Sequence, residues 1–292
     1  MQNGDWILTT IDPTSGEAQQ IADFVPTDDS VHLDDDYAQF ADGGPLADRA
    51  LFSADLTRAV ATETKEDGST DVGWIDRDGT FTDVTTGAPK SAGFSSTTED
   101  DTPAFGPDGA FYFARRVPDD SGWKTNPAIW RLEGTDPAAA VQVATLDDVN
   151  YYVNAPSRIM PLCAGCTAFR SPAGTDRGAF RATDFLGASE YLSTDPNGSM
   201  IYRSPLANEH DTSLTDWGTD GTPLIPQTNR TSWSPVASPD NSQVAFLSKT
   251  AQQDSTIAPE LYVVPARGGT PRAITISGGD LNGTDPMLLG WF

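Results

Sequence analysis

The stretch Ala237-Ser-Pro-Asp-Asn-Ser-Gln-Val-Ala-Phe246, followed by Glu260-Leu-Tyr-Val-Val264 and Gly268-Gly-Thr-Pro-Arg-Ala-Ile-Thr275, decides the fold of this chain. A turn built from Ser, Pro, Asp and Asn precedes one apolar run, and a glycine-rich turn separates two further runs. Pro presets φ, Asp and Asn hydrogen-bond to their own turn, and Gly accepts positive φ, so both turns favour hairpins. The stretch therefore predicts short antiparallel strands in succession.

The same turn recurs along the chain. Its anchor residues Asp55, Asp108, Asn197 and Asp240 lie 53, 89 and 43 residues apart. The interval of 89 residues is about two periods, which predicts a degenerate repeat near residue 152. A second series of hairpin turns, at residues 75–81, 217–223 and 264–271, follows in phase with the first, and 132–136 is a weaker member.

Two hairpins in each period give four strands per repeat, which is the pattern of a propeller blade. We therefore expect an all-β fold, a β-propeller of six four-stranded blades in a single domain over residues 1–292. Five or seven blades are alternatives, because the fourth blade is degenerate. The N-terminal segment 6–22 resembles outer strands and 285–292 an inner strand, so we expect the two ends to share and close one blade.

The repeat resembles that of the TolB-like, WD40-like β-propeller family. The likeness rests on residues 238–246, 261–264 and 268–275, with 106–109 and 128–130 similar, and covers the chain from about residue 45 to its end. Those positions are turn and core residues, so the resemblance assigns no functional residue. It implies an extracytoplasmic location, secreted or anchored at the cell envelope, and the binding of other proteins. Similar repeats also occur in peptidase gating propellers, actinobacterial lipoproteins and lyases.

The charge balance narrows the classes of partner. The chain has 42 acidic and 18 basic residues and a net charge of −24. Such a surface repels nucleic acid and anionic lipid, so we expect neither as a partner. Solubility alone can account for the charge, and the alternative is an acidic face for cations or for a basic protein partner. The function predicted is a non-catalytic protein-interaction or scaffold module. Only 4 of the basic residues are Lys, a bias that suits a high-GC actinobacterium.

No run of 18 apolar residues exists, so no membrane insertion by this segment is expected. The first residues carry neither a basic region nor an apolar one, unlike a signal peptide. A cytoplasmic protein, or a chain whose signal or anchor lies outside this sequence, would both fit. The family resemblance favours the second.

Calcium is the one cofactor that the sequence suggests. The run Asp34, Asp35 and Asp36 offers three adjacent carboxylates, and residues 76–79 hold half of an EF-hand-like pattern. A solvated charge cluster and an ordinary hairpin turn are the alternative interpretations. No other cofactor is expected.

Enzyme chemistry has little support in the residues. There is no Gly-x-Ser-x-Gly motif, and His32 and His210 both lie in polar, loop-like stretches. The alternative class is a carbohydrate-binding or carbohydrate-active propeller, of the lyase or glycosidase kind. Trp123 and Trp217 lie near turns and are the candidate binding residues, whereas Trp6, Trp74, Trp130 and Trp291 lie in predicted strands and are assigned to the core.

Cys163 and Cys166 are the only cysteines, in the sequence Cys-Ala-Gly-Cys. At a two-residue hairpin turn the two sulfurs would face each other, and an oxidising compartment would then join them in a local disulfide. Free buried thiols, or redox or metal chemistry, are the alternatives.

Overall fold

The structure, a computed structural model, describes residues 6–33, 49–66, 70–85, 99–106, 108–116, 128–145, 158–163, 166–170, 184–187, 189–194, 200–205, 221–250, 258–278 and 286–291. Strands dominate these ranges, and one turn of 3₁₀ helix lies at Pro137–Ala139. The strands are β1 (Trp6–Ile11), β2 (Ala18–Phe24), β3 (Val31–Leu33), β4 (Arg58–Thr64), β5 (Thr70–Asp76), β6 (Phe81–Asp83), β7 (Glu99–Phe105), β8 (Phe111–Arg116), β9 (Ala128–Leu132), β10 (Val141–Thr145), β11 (Arg158–Cys163), β12 (Cys166–Arg170), β13 (Asp184–Leu186), β14 (Glu190–Thr194), β15 (Ile201–Pro205), β16 (Thr222–Pro223), β17 (Arg230–Ala237), β18 (Gln243–Thr250), β19 (Glu260–Pro265) and β20 (Arg272–Ile274).

Four of the sheets have the four-stranded architecture that the repeat predicts. Strands β3–β6, β7–β10, β13–β16 and β17–β20 each form one antiparallel sheet in chain order. Strands β1 and β2 form a two-stranded sheet, and so do β11 and β12. The expectation of an all-β, propeller-type fold is confirmed, because each four-stranded antiparallel sheet is a blade unit. Six four-stranded blades are not confirmed, since four such sheets lie within the described ranges.

The turn around Asp55 is stabilised by its serine. Ser53 Oγ donates to Asp55 Oδ1 at 2.7 Å and accepts from the backbone N–H groups of Thr57 at 3.1 Å and Arg58 at 3.0 Å. Leu56 adopts the left-handed region with φ of 57°. One hydroxyl thus ties the start of β4 to the preceding segment.

The turn around Asp240 repeats this arrangement atom for atom. Ser238 Oγ donates to Asp240 Oδ1 at 2.6 Å and accepts from the N–H groups of Ser242 at 3.2 Å and Gln243 at 3.0 Å. Asn241 takes the left-handed position with φ of 55°, which Asn tolerates better than most residues. The predicted equivalence of the two turns is confirmed.

The second series of predicted turns also joins strands where it is described. Residues 77–80 connect β5 to β6, and residues 266–271 connect β19 to β20, both pairs being antiparallel. The weaker member at 132–136 leads from β9 through the 3₁₀ turn into β10. The turn at 217–223 lies mostly outside the described residues, as does that around Asn197.

The chain divides into two compact units. Unit 1 comprises Met1–Ile7, Ala22–Ala41 and Ala50–Thr175, and unit 2 comprises Leu8–Ile21, Asp42–Arg49 and Asp176–Phe292. Within unit 1, β7 packs against β4 and β5, and β11 packs against β7 and β8. Within unit 2, β17 packs against β13, β14 and β15. The first strand of one sheet therefore packs on the sheet before it, as successive blades do. That residues 1–292 form one domain stays a prediction.

Buried aromatic and aliphatic side chains fill each unit. In unit 1 the ring of Trp74 lies 5.4 Å from that of Phe111 and 5.9 Å from that of Phe105, centroid to centroid. In unit 2 a cluster that includes Leu192, Ile201 and Val244 is fully buried. Along β5 and β18 these residues lie in runs of consecutive buried positions, which is typical of strands covered on both faces.

The ends of the chain differ in part from the expectation. β1 pairs with β2, and an isolated bridge joins Glu17 to Ser277. Residues 286–291 carry no strand assignment, although Leu288 and Trp291 pack against the core of the last sheet. The closure of one blade by both ends therefore stays a prediction. In the described part of the chain, we find no helix with the length and apolar character needed to cross a membrane.

Candidate functional site

Unit 2 contains a solvent-accessible cavity of about 280 Å³. Its wall includes Asp184 and Phe185 at the start of β13, the turn 238–241 after β17, Arg49, and the C-terminal segment with Trp291. Segments remote in sequence thus bring an acid, a base and two aromatic rings to one place. This is the cavity that we treat as the candidate site.

Asp184 is the central polar residue of this cavity. Its Oδ2 accepts from the backbone N–H of Ala237 at 2.7 Å, and its Oδ1 accepts from the N–H of Phe185 at 2.9 Å. Burial raises the pKa of Asp184 to about 6, because desolvation outweighs these two hydrogen bonds. Near neutral pH the cavity therefore holds a carboxylate whose charge is only partly compensated by backbone dipoles.

The turn between β17 and β18 forms another part of the wall. The Ser238 hydroxyl is engaged inside its turn, as described above. Asn241 instead reaches across, and its Oδ1 accepts from the backbone N–H of Gly187 at 2.8 Å. The left-handed backbone of Gly187, with φ of 71°, puts that N–H in place. Arg49 completes the set of polar lining residues with a guanidinium group, which has five N–H donors.

A second group of charged side chains lies in unit 1, at the ends of β4, β5 and β6. Glu63, Asp71 and Asp83 bring their carboxylates within 4.8 Å of one another. Lys65 lies among them, with Nζ against Asp71 Oδ2 and 3.9 Å from Asp83 Oδ2. Its hydrogen bond to Asp71 raises the pKa of Lys65, whereas burial raises the pKa of Glu63. The ammonium group of Lys65 thus already supplies a positive charge beside two of the three carboxylates.

A buried ion pair adjoins this group. Arg115 Nε lies 2.7 Å from Asp100 Oδ1 and Nη2 lies 3.0 Å from Oδ2, with Asp100 only 1% exposed. The guanidinium carbon lies 5.0 Å from the ring centres of both Phe113 and Trp130. Burial raises the pKa of Asp100 to about 6, against the lowering effect of Arg115. The pair leaves neither charge exposed, so its evident role is to fix β7 on β8.

The structure leaves the predicted site residues largely untested. Asp34, Asp35 and Asp36, the proposed calcium ligands, lie outside the described residues. Trp123 and Trp217, the proposed binding residues, also lie outside them. Calcium binding and recognition by these tryptophans stay predictions.

The two cysteines lie where the sequence places them. β11 ends at Cys163, β12 begins at Cys166, and the two residues are paired across the antiparallel ladder. The predicted hairpin position is therefore confirmed at the level of the backbone. The disulfide itself stays a prediction.

Other residues that the sequence analysis considered lie in strands or turns. His32 lies in strand β3 rather than in a loop, because it pairs with Thr62, but its side chain is exposed as expected. Asp78 Oδ1 accepts from the N–H of Thr80 at 3.0 Å in the β5–β6 turn, so residues 76–79 form the hairpin that was the alternative to calcium binding. His210 lies outside the described residues.

Sequence reasoning missed the cavity. Asp184 stands directly before Phe185 at the start of a three-residue strand, a pattern that carries no motif. Trp291 was assigned to a core strand; it carries no strand assignment, but it packs against the core of the last sheet and also lines the cavity. One available signal was Asn241, a polar residue in the β17–β18 turn, whose Oδ1 accepts from the N–H of Gly187.

Comparisons with known proteins concern the fold alone. No family model matches the chain, and no curated protein matches it. Among solved structures it is similar to TolB from Acinetobacter baumannii, at 12% identity and a TM-score of 0.32, over 94% of this chain and 53% of that one. It is also similar to an oligogalacturonate lyase in complex with manganese, at 12% identity and a TM-score of 0.39, over 93% and 72%.

A puromycin hydrolase is similar at 16% identity and a TM-score of 0.29, over 78% of this chain and 33% of that one. The chain spans 63% of a TolB structure from Agrobacterium tumefaciens and about half of the Acinetobacter protein. The resemblance to TolB-type propellers drawn from the repeat is thus matched by structural likeness, and that likeness extends to the fold and to nothing else.

Proposed function

We propose that this chain is a six-bladed, extracytoplasmic propeller that acts as a non-catalytic protein-interaction module for a basic partner. The observation that supports the proposal is the excess of acidic over basic side chains and the pairing of the basic ones within the fold. The chain has 42 acidic and 18 basic residues. Several of the few basic side chains form ion pairs within the fold. The excess of acidic groups therefore determines the electrostatic potential around the protein.

The engaged cations are distributed over both units. Ion pairs join Arg58 to Asp76, Arg115 to Asp100, Arg131 to Asp108 and Glu133, Arg203 to Glu190, Arg230 to Glu260, and Lys65 to Asp71. Each pair is close to neutral at a distance, so these cations contribute little to the field that an approaching protein meets. A strongly negative field accelerates the association of a positively charged partner and weakens with salt.

Rigid sheets support this function. The Ser53 and Ser238 turns, together with the buried Asp100–Arg115 pair, fix strand ends by hydrogen bonds rather than by packing alone. Loops carried on a rigid scaffold are common positions for binding residues. In the described residues, the one histidine, His32, is exposed on a strand, which offers little support for a triad-type hydrolase.

The experiment is capture of partners from a cell-envelope extract by the immobilised protein, at about 50 mM and about 300 mM salt. The variant E17Q/D23N/D29N/E66Q neutralises four exposed acids that lie outside the cavity and the Lys65 group. We expect specific capture at low salt, a marked loss at high salt, and weaker capture by the variant. The matched control R267Q/R272Q makes the surface more negative and should capture at least as well.

A purified partner identified in this way should bind the protein with an affinity that falls steadily as salt rises. Capture that is equal for both variants and at both salt concentrations would count against an electrostatic interaction module. Failure to capture any protein reproducibly at either salt concentration would reject the proposal.

A further inference from the structure

Two aspartates occupy comparable places in the two units but differ in their partners. Asp100 lies on β7 and Asp184 on β13, each the first strand of a four-stranded sheet. Burial is the largest influence on both carboxyl groups. Asp100 is held by both arms of the Arg115 guanidinium, whereas the interactions that favour ionised Asp184 are two backbone N–H groups.

The difference matters because of where Asp184 lies. The Asp100–Arg115 pair is packed between rings and is closed to solvent. Asp184 lines a cavity that a ligand can enter. Each of its oxygens accepts one hydrogen bond from the backbone, and a carboxylate oxygen can accept a second. The site therefore offers free acceptor capacity on a partly desolvated negative charge, which suits an ammonium group.

The remaining wall of the cavity suits a different part of the same ligand. Arg49 also lines the cavity, and a guanidinium group, with five N–H donors, can bind a carboxylate by two parallel hydrogen bonds in addition to other partners. Phe185 and Trp291 supply aromatic surface. A simple cation would be repelled by the charge of Arg49, and a simple anion would be repelled by the charge of Asp184.

We infer that this cavity binds a small zwitterion of the amino-acid class, with its ammonium on Asp184, its carboxylate on Arg49 and an apolar side chain against Phe185 and Trp291. The volume of about 280 Å³ is just below the range of about 300–1,000 Å³ that drug-sized ligands occupy, so it suits a smaller ligand such as an amino acid. The inference does not depend on the proposed protein partner, so each proposal can fail without the other.

The test uses calorimetric titration of the whole chain with glycine, L-leucine and L-phenylalanine at pH 7.5, up to about 10 mM. We expect saturable binding that strengthens from glycine to phenylalanine, because the aromatic wall contacts the side chain. Phenethylamine lacks the carboxylate and 3-phenylpropionate lacks the ammonium. Each should bind at least about tenfold more weakly than L-phenylalanine, because one charge-assisted contact is lost.

Single substitutions test the ammonium-binding and carboxylate-binding residues of the site separately. D184N and R49Q should each weaken L-phenylalanine binding by at least about tenfold, and W291A should reduce the preference for phenylalanine over glycine. D23N, an exposed acid on β2 outside the cavity, is the matched control and should bind as the unaltered protein does. Thermal unfolding of each variant at the same pH verifies that it is folded.

Three results would overturn the inference. Binding of none of the three amino acids, measured by both heat and a shift in unfolding temperature, rejects it. So does binding that D184N and R49Q both leave unchanged, and so does phenethylamine binding as tightly as L-phenylalanine, because the site would then recognise amines only.

Discussion

Replacing Asp184 by Asn should change the stability of the protein in a pH-dependent way. Asn has nearly the shape of the protonated acid, but it carries no charge at any pH. The pKa of Asp184 is raised from its ordinary 3.8 to about 6 by burial. Between about pH 4 and pH 6 the folded protein therefore holds a proton that the unfolded chain has released. The contribution of Asp184 to the free energy of unfolding therefore falls as pH rises through this window.

The magnitude follows from the two pKa values. They differ by about two pH units, and each unit corresponds to about 1.4 kcal/mol, so ionised Asp184 costs the fold up to about 3 kcal/mol above pH 7. D184N avoids this cost but loses an acceptor for one of the two backbone N–H groups, which costs about 1 kcal/mol. We expect D184N to be about 1–2 kcal/mol more stable than the unaltered protein at pH 7.5 and slightly less stable at pH 4.5.

Urea unfolding of both proteins at several pH values between 4.5 and 8 measures this crossing directly. A D184N variant that is destabilised by the same amount at every pH would refute the reasoning, because the carboxylate charge would then cost nothing. D100N provides the contrast. It leaves Arg115, which is 7% exposed, without its anion, and should cost about 3 kcal/mol or more at both ends of the pH range.

Three further predictions concern turns, glycines and cysteines. S53A removes the hydroxyl that accepts two backbone N–H bonds and should lower the free energy of unfolding by about 1–2 kcal/mol in urea titrations, with an unchanged m-value. G73A would put Cβ 1.9 Å from a backbone oxygen and should lower the free energy of unfolding by about 3 kcal/mol or more. G109A has open space around its Cβ but a φ of 78°, so it should lower the free energy of unfolding by about 1–2 kcal/mol. Thermal melts that rank the two variants in the opposite order would contradict this. Air-oxidised protein should be lighter by two hydrogens than reduced protein through a Cys163–Cys166 bond, and because the closed loop is short, C163S should cost less than about 2 kcal/mol; equal intact masses would reject the disulfide.

The sequence predicted the parts of the fold that depend on local backbone chemistry. The turns around Asp55 and Asp240 lie as expected, because Ser, Asp and a residue with positive φ form the same hydrogen bonds wherever the chain places them. The pairing of Cys163 with Cys166 follows from the same logic, since two strands joined by two residues have one favoured register. These features need no knowledge of distant segments.

What depends on distant segments was predicted less well. Residues 286–291 have an apolar pattern typical of a strand, but a strand also needs a neighbour with free N–H and C=O groups, and an apolar pattern does not ensure that the expected neighbour is in place. His32 lies in a short strand because it pairs with Thr62, thirty residues away. The cavity combines Arg49, Asp184 and Trp291, which the fold brings together from opposite ends of the sequence. None of the three belongs to a motif, so composition and spacing could not select them.

The comparison of Asp100 with Asp184 gives the strongest reason to regard the cavity as functional. Both carboxyl groups are desolvated, and one of them has the arginine that makes burial tolerable. A purely structural role for Asp184 would be served at lower cost by an uncharged residue, because the neutral form keeps most of its contacts with the backbone of β17. A charge that lowers stability and that lines a cavity together with an arginine and two aromatic residues is what a binding site requires, since sites for polar ligands are commonly maintained at some expense of stability. D184N separates the two explanations in one protein. If the variant gains stability at pH 7.5 and loses amino-acid binding, the carboxylate is retained for its ligand; if it loses stability at every pH, the aspartate belongs to the architecture of β13 and β17.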